Sequence, residues 1–273
     1  MRLLIFGPGY TASRLIARLE GRAAIATVDR ETFADRTRTA FEIASATHIL
    51  STVPPGDQDP VLAAYEQEIA HSGAWIGYLS STGVYGDAQG AWVDESAPTG
   101  TGRRTARAQA DAAWCALPQA RVFRLPGIYG PGRSPLDRIR AGAAARIDVP
   151  GQVFSRVHVD DIVSGVIAGF DGPPGAYNLA DDAPAAQSDV IAYGCALLGL
   201  PVPPLVPLER ANLTPQARAF YAENRRVANG KAKRVLNWRP LYPDYRLGLR
   251  ALSATTSPAT TSTAPPPASA DQR

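Results

Sequence analysis

Short apolar segments typical of β-strands alternate with helical segments along much of the chain. Residues 3–6 and 24–28 are apolar runs, and residues 13–19 between them place their large aliphatic side chains on one helical face. A strand, a helix and a strand in this order form the β-α-β unit of a parallel sheet. The rhythm continues in segments 48–50, 62–70, 75–79, 106–115 and 121–125. It predicts an α/β fold with a doubly wound parallel sheet.

Three regions are expected along the chain. Residues 1–181 are expected to form mainly the core of the parallel sheet, with an insert around residues 131–156 that belongs to a second lobe. Residues 182–252 are richer in proline and loops and are expected to form mainly a smaller C-terminal lobe. Residues 253–273 consist mainly of Ala, Ser, Thr and Pro without periodicity, a composition typical of a disordered tail.

A glycine-rich turn follows the first strand. Residues 7–12 read GPGYTA and match the pattern GxGxxA at the start of a helix. Gly7 and Gly9 permit a tight turn and a close approach of backbone N–H groups to a pyrophosphate, at the positive end of the helix that Tyr10 and Thr11 open. The turn therefore predicts a dinucleotide site, whereas a glycine turn before an ordinary helix is the alternative.

The end of the second strand bears on the choice of dinucleotide. Asp29 lies 20 residues after Gly9, where a carboxylate can bind the 2′-hydroxyl of an adenosine ribose. This position favours NAD, because a carboxylate repels a 2′-phosphate. Arg30 follows directly and can pair with such a phosphate, so NADP stays open.

Charge and cysteine content exclude several other classes of protein. The 28 basic residues nearly balance the 25 acidic ones and are scattered, which argues against a nucleic-acid surface. Cys115 and Cys195 lie far apart without neighbouring histidines, so neither a disulfide framework nor a metal site is predicted. No segment has the run of about 20 apolar residues that a membrane span needs. We expect a cytoplasmic protein.

Four ordered motifs resemble those of the extended short-chain dehydrogenase/reductase family, the NAD-dependent epimerase/dehydratase group. They are the glycine turn, LSSTGVYG at 79–86, RLPGIYGPG at 124–132 and VHVDDI at 157–162, and KAKRVLNWRP at 231–240 is also similar to a late segment of the family. The resemblance covers about residues 1–250. It implies a Rossmann core that binds the cofactor across the carboxyl ends of its strands, with the C-terminal lobe closing over a small-molecule substrate.

The resemblance also implies roles for individual residues. Ser81 matches the catalytic Ser/Thr, which hydrogen-bonds the reacting oxygen, and Thr82 beside it is expected to help orient that oxygen. Pro126 and Ile128 match the loop beside the nicotinamide, and Ser80 is also assigned to the cofactor site.

The chain departs from the family where members carry Tyr-x-x-x-Lys, the acid/base pair. Counting back from Asp111, which matches an acidic position of the family, places Arg103 at the tyrosine and Arg107 at the lysine. No lysine precedes Lys231, so no other alignment supplies the motif. An arginine keeps its proton and donates hydrogen bonds without acting as a base. Arg107 is therefore expected to hold ribose or substrate, in an atypical branch of the family.

Two arginine features bear on the substrate. Arg103 and Arg107 are spaced to share a helix face, and with Arg104 they would suit a carboxylate or phosphate, although a solvated basic surface is an equal alternative. Nucleotide-sugar members carry a pyrophosphate-binding arginine where this chain has Phe154. Arg156 lies two residues further along a strand, on the same side, and is a candidate replacement.

Four other side chains are candidates for the missing acid/base. Tyr85, Tyr129 and His158 are expected to be structural, and Asp94 is expected to lie in a solvated loop. The aspartates at 160–161 are expected to cap the helix that follows His158.

These observations favour an NAD(P)-dependent oxidoreductase or epimerase/dehydratase-like enzyme acting on a small hydroxyl or carbonyl compound, including an anionic one. The alternative is a catalytically impaired dinucleotide-binding redox sensor. A structural or interaction protein that has lost the nucleotide is a third hypothesis. Family resemblance also makes a homodimer an expectation.

Overall fold

The computed structural model describes residues 1–103 and 105–256. Its strands are β1 (Arg2–Phe6), β2 (Ala24–Val28), β3 (His48–Ser51), β4 (Trp75–Ser81), β5 (Trp92–Val93), β6 (Ala120–Leu125), β7 (Gly127–Tyr129), β8 (Arg146–Asp148), β9 (Arg156–His158), β10 (Gly175–Asn178), β11 (Leu205–Pro207) and β12 (Arg226–Val227). Its helices are α1 (Tyr10–Leu19), α2 (Arg36–Ser45), α3 (Pro60–His71), α4 (Thr105–Ala116), α5 (Pro135–Arg140), α6 (Val159–Ala168), α7 (Gln187–Leu198), α8 (Pro215–Ala219), α9 (Gly230–Val235) and α10 (Tyr245–Thr256).

Six parallel strands form the central sheet in the order β10-β6-β4-β3-β1-β2. Aliphatic side chains of α1 and α6 pack on one face, and those of α2, α3 and α4 pack on the other. The predicted doubly wound α/β fold is confirmed. Because the chain turns outward in opposite directions from β1 and β3, a crevice opens between their carboxyl ends, which is where such sheets bind ligands.

A second apolar cluster lies beside this sheet. It combines Tyr129, Leu136 and Ile139 with buried side chains of α7 and α10. The segment around 131–140 thus packs with C-terminal residues. Three two-stranded parallel sheets, β7-β9, β8-β11 and β5-β12, complete the fold.

Helix α10 continues to Thr256, so residues 253–256 do not belong to a disordered tail and that part of the expectation is wrong. The buried face of the helix, with Leu249 and Leu252, anchors it in the apolar cluster. Once that face is packed, a further turn costs little, and the Thr255 hydroxyl donates to the Ala251 and Leu252 carbonyls. The rest of the expected tail, 257–273, and Arg104 lie outside the described residues.

In the part of the chain that the structure describes, no helix combines the length and apolar character needed to cross a bilayer.

Candidate functional site

The glycine turn lies at the carboxyl end of β1, on the edge of the crevice. Gly7 has φ +75°, a conformation that side chains disfavour, and a Cβ there would lie 2.8 Å from the Val53 side chain. The Thr52 hydroxyl donates to the Gly7 carbonyl at 2.5 Å. Residues that follow β3 therefore fix the turn. Sequence reasoning missed Thr52 and Val53, because nothing in their composition marks them.

Gly9 precedes α1 and leaves the start of the helix open. No side chain caps the helix, its first turn holds no acidic residue, and its first backbone bond runs from Ser13 N to Gly9 O at 2.8 Å. The N–H groups of Tyr10 and Thr11 therefore have no acceptor within the helix. A Cβ on Gly9 would meet nothing closer than 3.9 Å, so the fold itself does not require glycine there. These residues fit the pyrophosphate of a dinucleotide.

The Tyr10 side chain serves a structural contact beside this opening. Its hydroxyl donates to the Pro131 carbonyl at 3.1 Å, and a Cβ on Gly130 would lie 2.6 Å from it. Tyr10 therefore joins α1 to the start of the inserted segment, and its N–H is the group left for a ligand.

Asp29 follows β2 and is exposed, as is Arg30. Its Oδ1 accepts from Thr32 N at 2.9 Å, from Glu31 N at 3.0 Å and from the Thr32 hydroxyl at 2.8 Å. The bonds from Thr32 hold the pKa of Asp29 below its usual range, so the carboxyl is charged at neutral pH. All three bonds use Oδ1, and within the described residues Oδ2 is left for a ribose hydroxyl.

Ser81 ends β4 and lies opposite Leu125 in the sheet, which places it beside the Pro126 loop. Its Oγ accepts from Gly83 N at 3.1 Å and begins a short 3-10 turn over Thr82–Tyr85. Since the oxygen accepts there, the hydroxyl proton remains available to a substrate oxygen. Ser81, Pro126 and Ile128 are partly exposed, whereas Thr82 is buried.

Ser80 points into the protein and not toward the crevice. Its hydroxyl donates to Asp111 Oδ1 at 2.6 Å, and Asp111 pairs with Arg124 at 2.7 Å. All three residues are buried. The side chain of Ser80 thus stabilises the end of β4 from inside the protein. Its assignment to the cofactor site is supported by no side-chain contact within the described residues. The presence of Arg124 within the mostly apolar strand β6 is the sequence feature that could have revealed this network.

Arg103 and Arg107 do not share a helix face, which corrects the expectation from their spacing. Helix α4 begins only at Thr105, so Arg103 lies before it. Arg103 pairs with Glu223 of the C-terminal lobe, its Nε 3.6 Å from Oε1, whereas Arg107 donates to the Tyr78 hydroxyl at 3.2 Å. The partly buried Arg107 thus contacts Tyr78 in the middle of β4, and no bond from its Nη2 or Nε to a described residue competes with a ligand.

The other candidates for an acid/base have structural positions. Tyr85, Tyr129 and His158 are each at most 5% exposed. Tyr85 accepts from Arg124 at 3.0 Å and donates to Asn178 at 2.8 Å. His158 Nδ1 accepts from Asp160 N at 3.2 Å. His158 itself is therefore the cap of α6, and the aspartates at 160–161 lie in the first turn, which corrects the expected cap.

Asp94 and Arg156 are also engaged locally. Asp94 is exposed and accepts from the Ser96 hydroxyl at 2.6 Å within its own turn. Arg156 donates to the carbonyls of Phe154 at 2.8 Å and Ala185 at 3.0 Å, so it stabilises the C-terminal lobe. Both bonds use Nη1, so Nη2 and Nε make no hydrogen bond to a described residue.

The fold and the crevice define the class of protein. The chain has the fold of the extended short-chain dehydrogenases/reductases: it superposes on the human epimerase family protein SDR39U1, solved with NADPH, with a TM-score of 0.74, over 93% of this chain and 99% of the human one. At 17% identity, this likeness shows the fold alone. No family model matches the chain.

Two relatives are more informative about sequence. A functionally unknown conserved protein from Silicibacter pomeroyi DSS is 44% identical, with a TM-score of 0.84, over 93% of this chain and 98% of that one. The chain belongs to the family of that protein. A 3-diazoavenalumate denitrifying reductase from Streptomyces is 29% identical over 140 residues, 47% of this chain and 45% of the reductase. The chain spans about half the length of the curated relatives that it matches.

Proposed function

We propose that this protein is an NAD(P)-dependent oxidoreductase or epimerase/dehydratase-like enzyme that acts on a small hydroxyl or carbonyl compound. The observation that carries the proposal is the open, uncapped start of α1 beside Gly9, at the same edge of the sheet as Ser81. The human structural neighbour solved with NADPH and the Streptomyces reductase support it.

The described residues divide into those that hold the cofactor and those that meet the substrate. The N–H groups of Tyr10 and Thr11 bind the pyrophosphate, Asp29 accepts from the adenosine ribose, and Pro126 and Ile128 border the nicotinamide. When bound, the dinucleotide supplies or accepts a hydride. Asp29 makes NAD the preferred form, and the exposed Arg30 keeps NADP as the alternative.

Ser81 and Arg107 are the groups that orient the reacting oxygen. The Ser81 hydroxyl donates a hydrogen bond to it, and Arg107 adds positive charge that stabilises an oxyanion. Arg107 remains protonated, so it cannot relay a proton as the lysine–tyrosine pair does. The substitution of that pair is the observation that favours the second candidate, a redox sensor that binds the dinucleotide without turnover.

Thermal shift with NAD⁺, NADH, NADP⁺ and NADPH, followed by nicotinamide absorbance with a panel of carbonyl compounds, tests the proposal. If the protein is an enzyme, one of these nucleotides should stabilise it, and it should oxidise NADH or NADPH steadily. Stabilisation without turnover would favour the sensor. The absence of any shift would contradict both and leave a protein without nucleotide.

The variant Ser81→Ala refines that test. It removes one donor to the developing oxyanion, so turnover should fall by about 10²-fold while nucleotide affinity is kept. Ser45→Ala, at the far end of α2, is the matched control and should retain full activity. Equal activity of Ser81→Ala and the control would remove Ser81 from its role.

A further inference from the structure

We propose that Arg103 and Arg225, organised by Glu223, form a subsite for a carboxylate or phosphate group of the substrate at the mouth of the crevice. The inference rests on the proposed function and names a chemical class for its substrate. Sequence analysis singled out Arg103 with its two arginine neighbours, whereas Glu223 and Arg225 enter only through the fold.

A close backbone contact places Arg103 beside the Ser81 turn. Gly102, the residue before it, packs so tightly on that turn that a Cβ would lie 2.9 Å from the Gly83 carbonyl. The Thr101 hydroxyl also donates to the Tyr85 carbonyl at 2.8 Å. The residue before Arg103 is therefore held against Gly83, which follows Ser81 by two residues in the sequence.

Glu223 joins the two arginines. Its Oε1 accepts from Arg103 N at 3.1 Å and lies 3.6 Å from Arg103 Nε. Its Oε2 accepts from Arg225 Nη1 at 2.9 Å, and the same nitrogen donates to the Gly86 carbonyl at 2.5 Å. One carboxylate from the C-terminal lobe thus brings both guanidinium groups to the turn that follows Ser81.

The charges of this cluster do not cancel. Burial raises the pKa of Glu223, but hydrogen bonds from Arg103 and Arg225 outweigh it and lower the pKa overall, so the group is ionised. Within the described residues, Glu223 is the one carboxylate that pairs with the two guanidinium groups; the neighbouring Asp87 accepts from Asn224 N at 2.7 Å and forms no ion pair with either arginine. An ion pair that only joined the two lobes would need one arginine, so the second arginine exceeds what that contact requires.

The cluster also has donors to spare. The Arg103 side chain is 33% exposed, lies over the Phe220 ring at 5.2 Å, and makes no side-chain hydrogen bond within the described residues. Arg225 uses only Nη1 in the bonds above, so its Nη2 remains. Guanidinium groups bind carboxylate and phosphate oxygens through such paired donors. The geometry therefore suits an anion that bridges the two side chains.

The test is titration calorimetry with malonate and with inorganic phosphate at constant ionic strength, on protein with and without saturating nucleotide. Arg103→Ala and Arg225→Ala should each weaken binding of at least one of the two anions roughly tenfold, because each removes a charge-assisted donor. Arg22→Ala, an exposed arginine beyond the end of α1, is the control with the same change in net charge and should bind as the wild type does.

Glu223→Gln separates a binding site from a tie between the lobes. The substitution keeps an amide oxygen as an acceptor for Arg103 or Arg225 but removes the negative charge of the carboxylate. Anion binding should therefore tighten by about fivefold. A purely structural contact predicts lower melting temperature without tighter binding.

Two further outcomes are informative. If neither anion binds to the wild type, or if the alanine variants bind like Arg22→Ala, the subsite is overturned, whatever the nucleotide does. If nucleotide fails to bind while the arginine variants still weaken anion binding, the proposed function fails and the anion site stands. Turnover, once a substrate is found, should show a raised KM with little change in kcat for Arg225→Ala.

Discussion

At the scale of single residues, Asp181 is the most unusual group in the structure. It follows β10, is 2% exposed, and within the described residues no side chain donates a hydrogen bond to either of its carboxyl oxygens. Burial raises the pKa of Asp181 to about 8, although the nearby Arg156 acts in the opposite direction. The carboxyl is therefore mostly protonated at neutral pH, which is the form that an apolar site favours.

This pKa predicts a pH dependence of stability. The pKa of Asp181 is higher in the folded protein than in the unfolded chain. Between about pH 4 and pH 8 the folded protein therefore keeps a proton that the unfolded chain has already lost. The free energy of unfolding should therefore fall in that window, by on the order of 1 kcal/mol per pH unit. Asp181→Asn removes the titration, so its melting temperature should exceed that of the wild type by a margin that grows from pH 5 to pH 8.

The control for this prediction is Asp57→Asn, at an exposed position. Its difference from the wild type should stay constant over the same range. If the difference for Asp181→Asn were equally constant, the buried carboxyl would not titrate as described.

At the scale of elements, the start of α1 carries the largest testable consequence. Gly9→Trp places a ring in the open space at the helix terminus, where a Cβ meets no atom closer than 3.9 Å. The fold should tolerate the change, since φ at this position is −83° and a Cβ there has open space around it. Stabilisation by nucleotide should disappear, as measured by thermal shift.

Glu20→Trp, at the other end of the same helix, is the matched control. It adds the same ring at an exposed position far from the crevice and should leave the nucleotide shift unchanged. An undiminished shift in Gly9→Trp would show that the pyrophosphate binds elsewhere.

Elements also show what the sequence can and cannot predict. Strong apolar periodicity predicted β1, α1 and β2 and their connection, because a local pattern determines such elements. The helical segment 106–115 predicted the start of α4 to within one residue, whereas the helical spacing of Arg103 and Arg107 was misleading, since Gly102 packs tightly on Gly83 and Arg103 precedes the helix that begins at Thr105. That contact joins residues that are distant in sequence, and no local sequence pattern reveals it.

At the scale of the whole molecule, Asp161 connects the Rossmann core to the C-terminal segment. This buried residue of α6 accepts from Leu241 N at 2.5 Å and from Tyr242 N at 3.1 Å. Asp161→Ala would remove the acceptor of both N–H groups, whose hydrogen bonds are partly buried and contribute about 0.5–1.5 kcal/mol each. We expect a loss of about 1–3 kcal/mol in the free energy of unfolding, measured with urea.

Asp160→Ala is the neighbouring control. Asp160 pairs with Arg14 at 2.7 Å, but the two side chains are 36% and 42% exposed. Such surface pairs contribute about 0–1 kcal/mol, so this variant should remain close to the wild type. Equal losses in the two variants would show that Asp161 does not hold the C-terminal segment to the core.

The doubly wound sheet was predictable from the sequence, whereas the candidate site was predictable only in part. The glycine turn and Ser81 follow strands whose ends meet at one edge, so topology brings them together. Glu223 and Arg225 reach the same edge from a loop more than a hundred residues later. Their positions depend on how that loop packs, which no local pattern encodes.

The contact between Gly86 and Gly102 limits what protein engineering can do here. A Cβ on either glycine would collide with the backbone of the other segment, so the two loops are locked against each other. Grafting tyrosine at 103 and lysine at 107 would therefore not rebuild an ordinary reductase centre. The tyrosine side chain would extend from a loop that faces Glu223. That loop would therefore have to be redesigned together with the two substitutions.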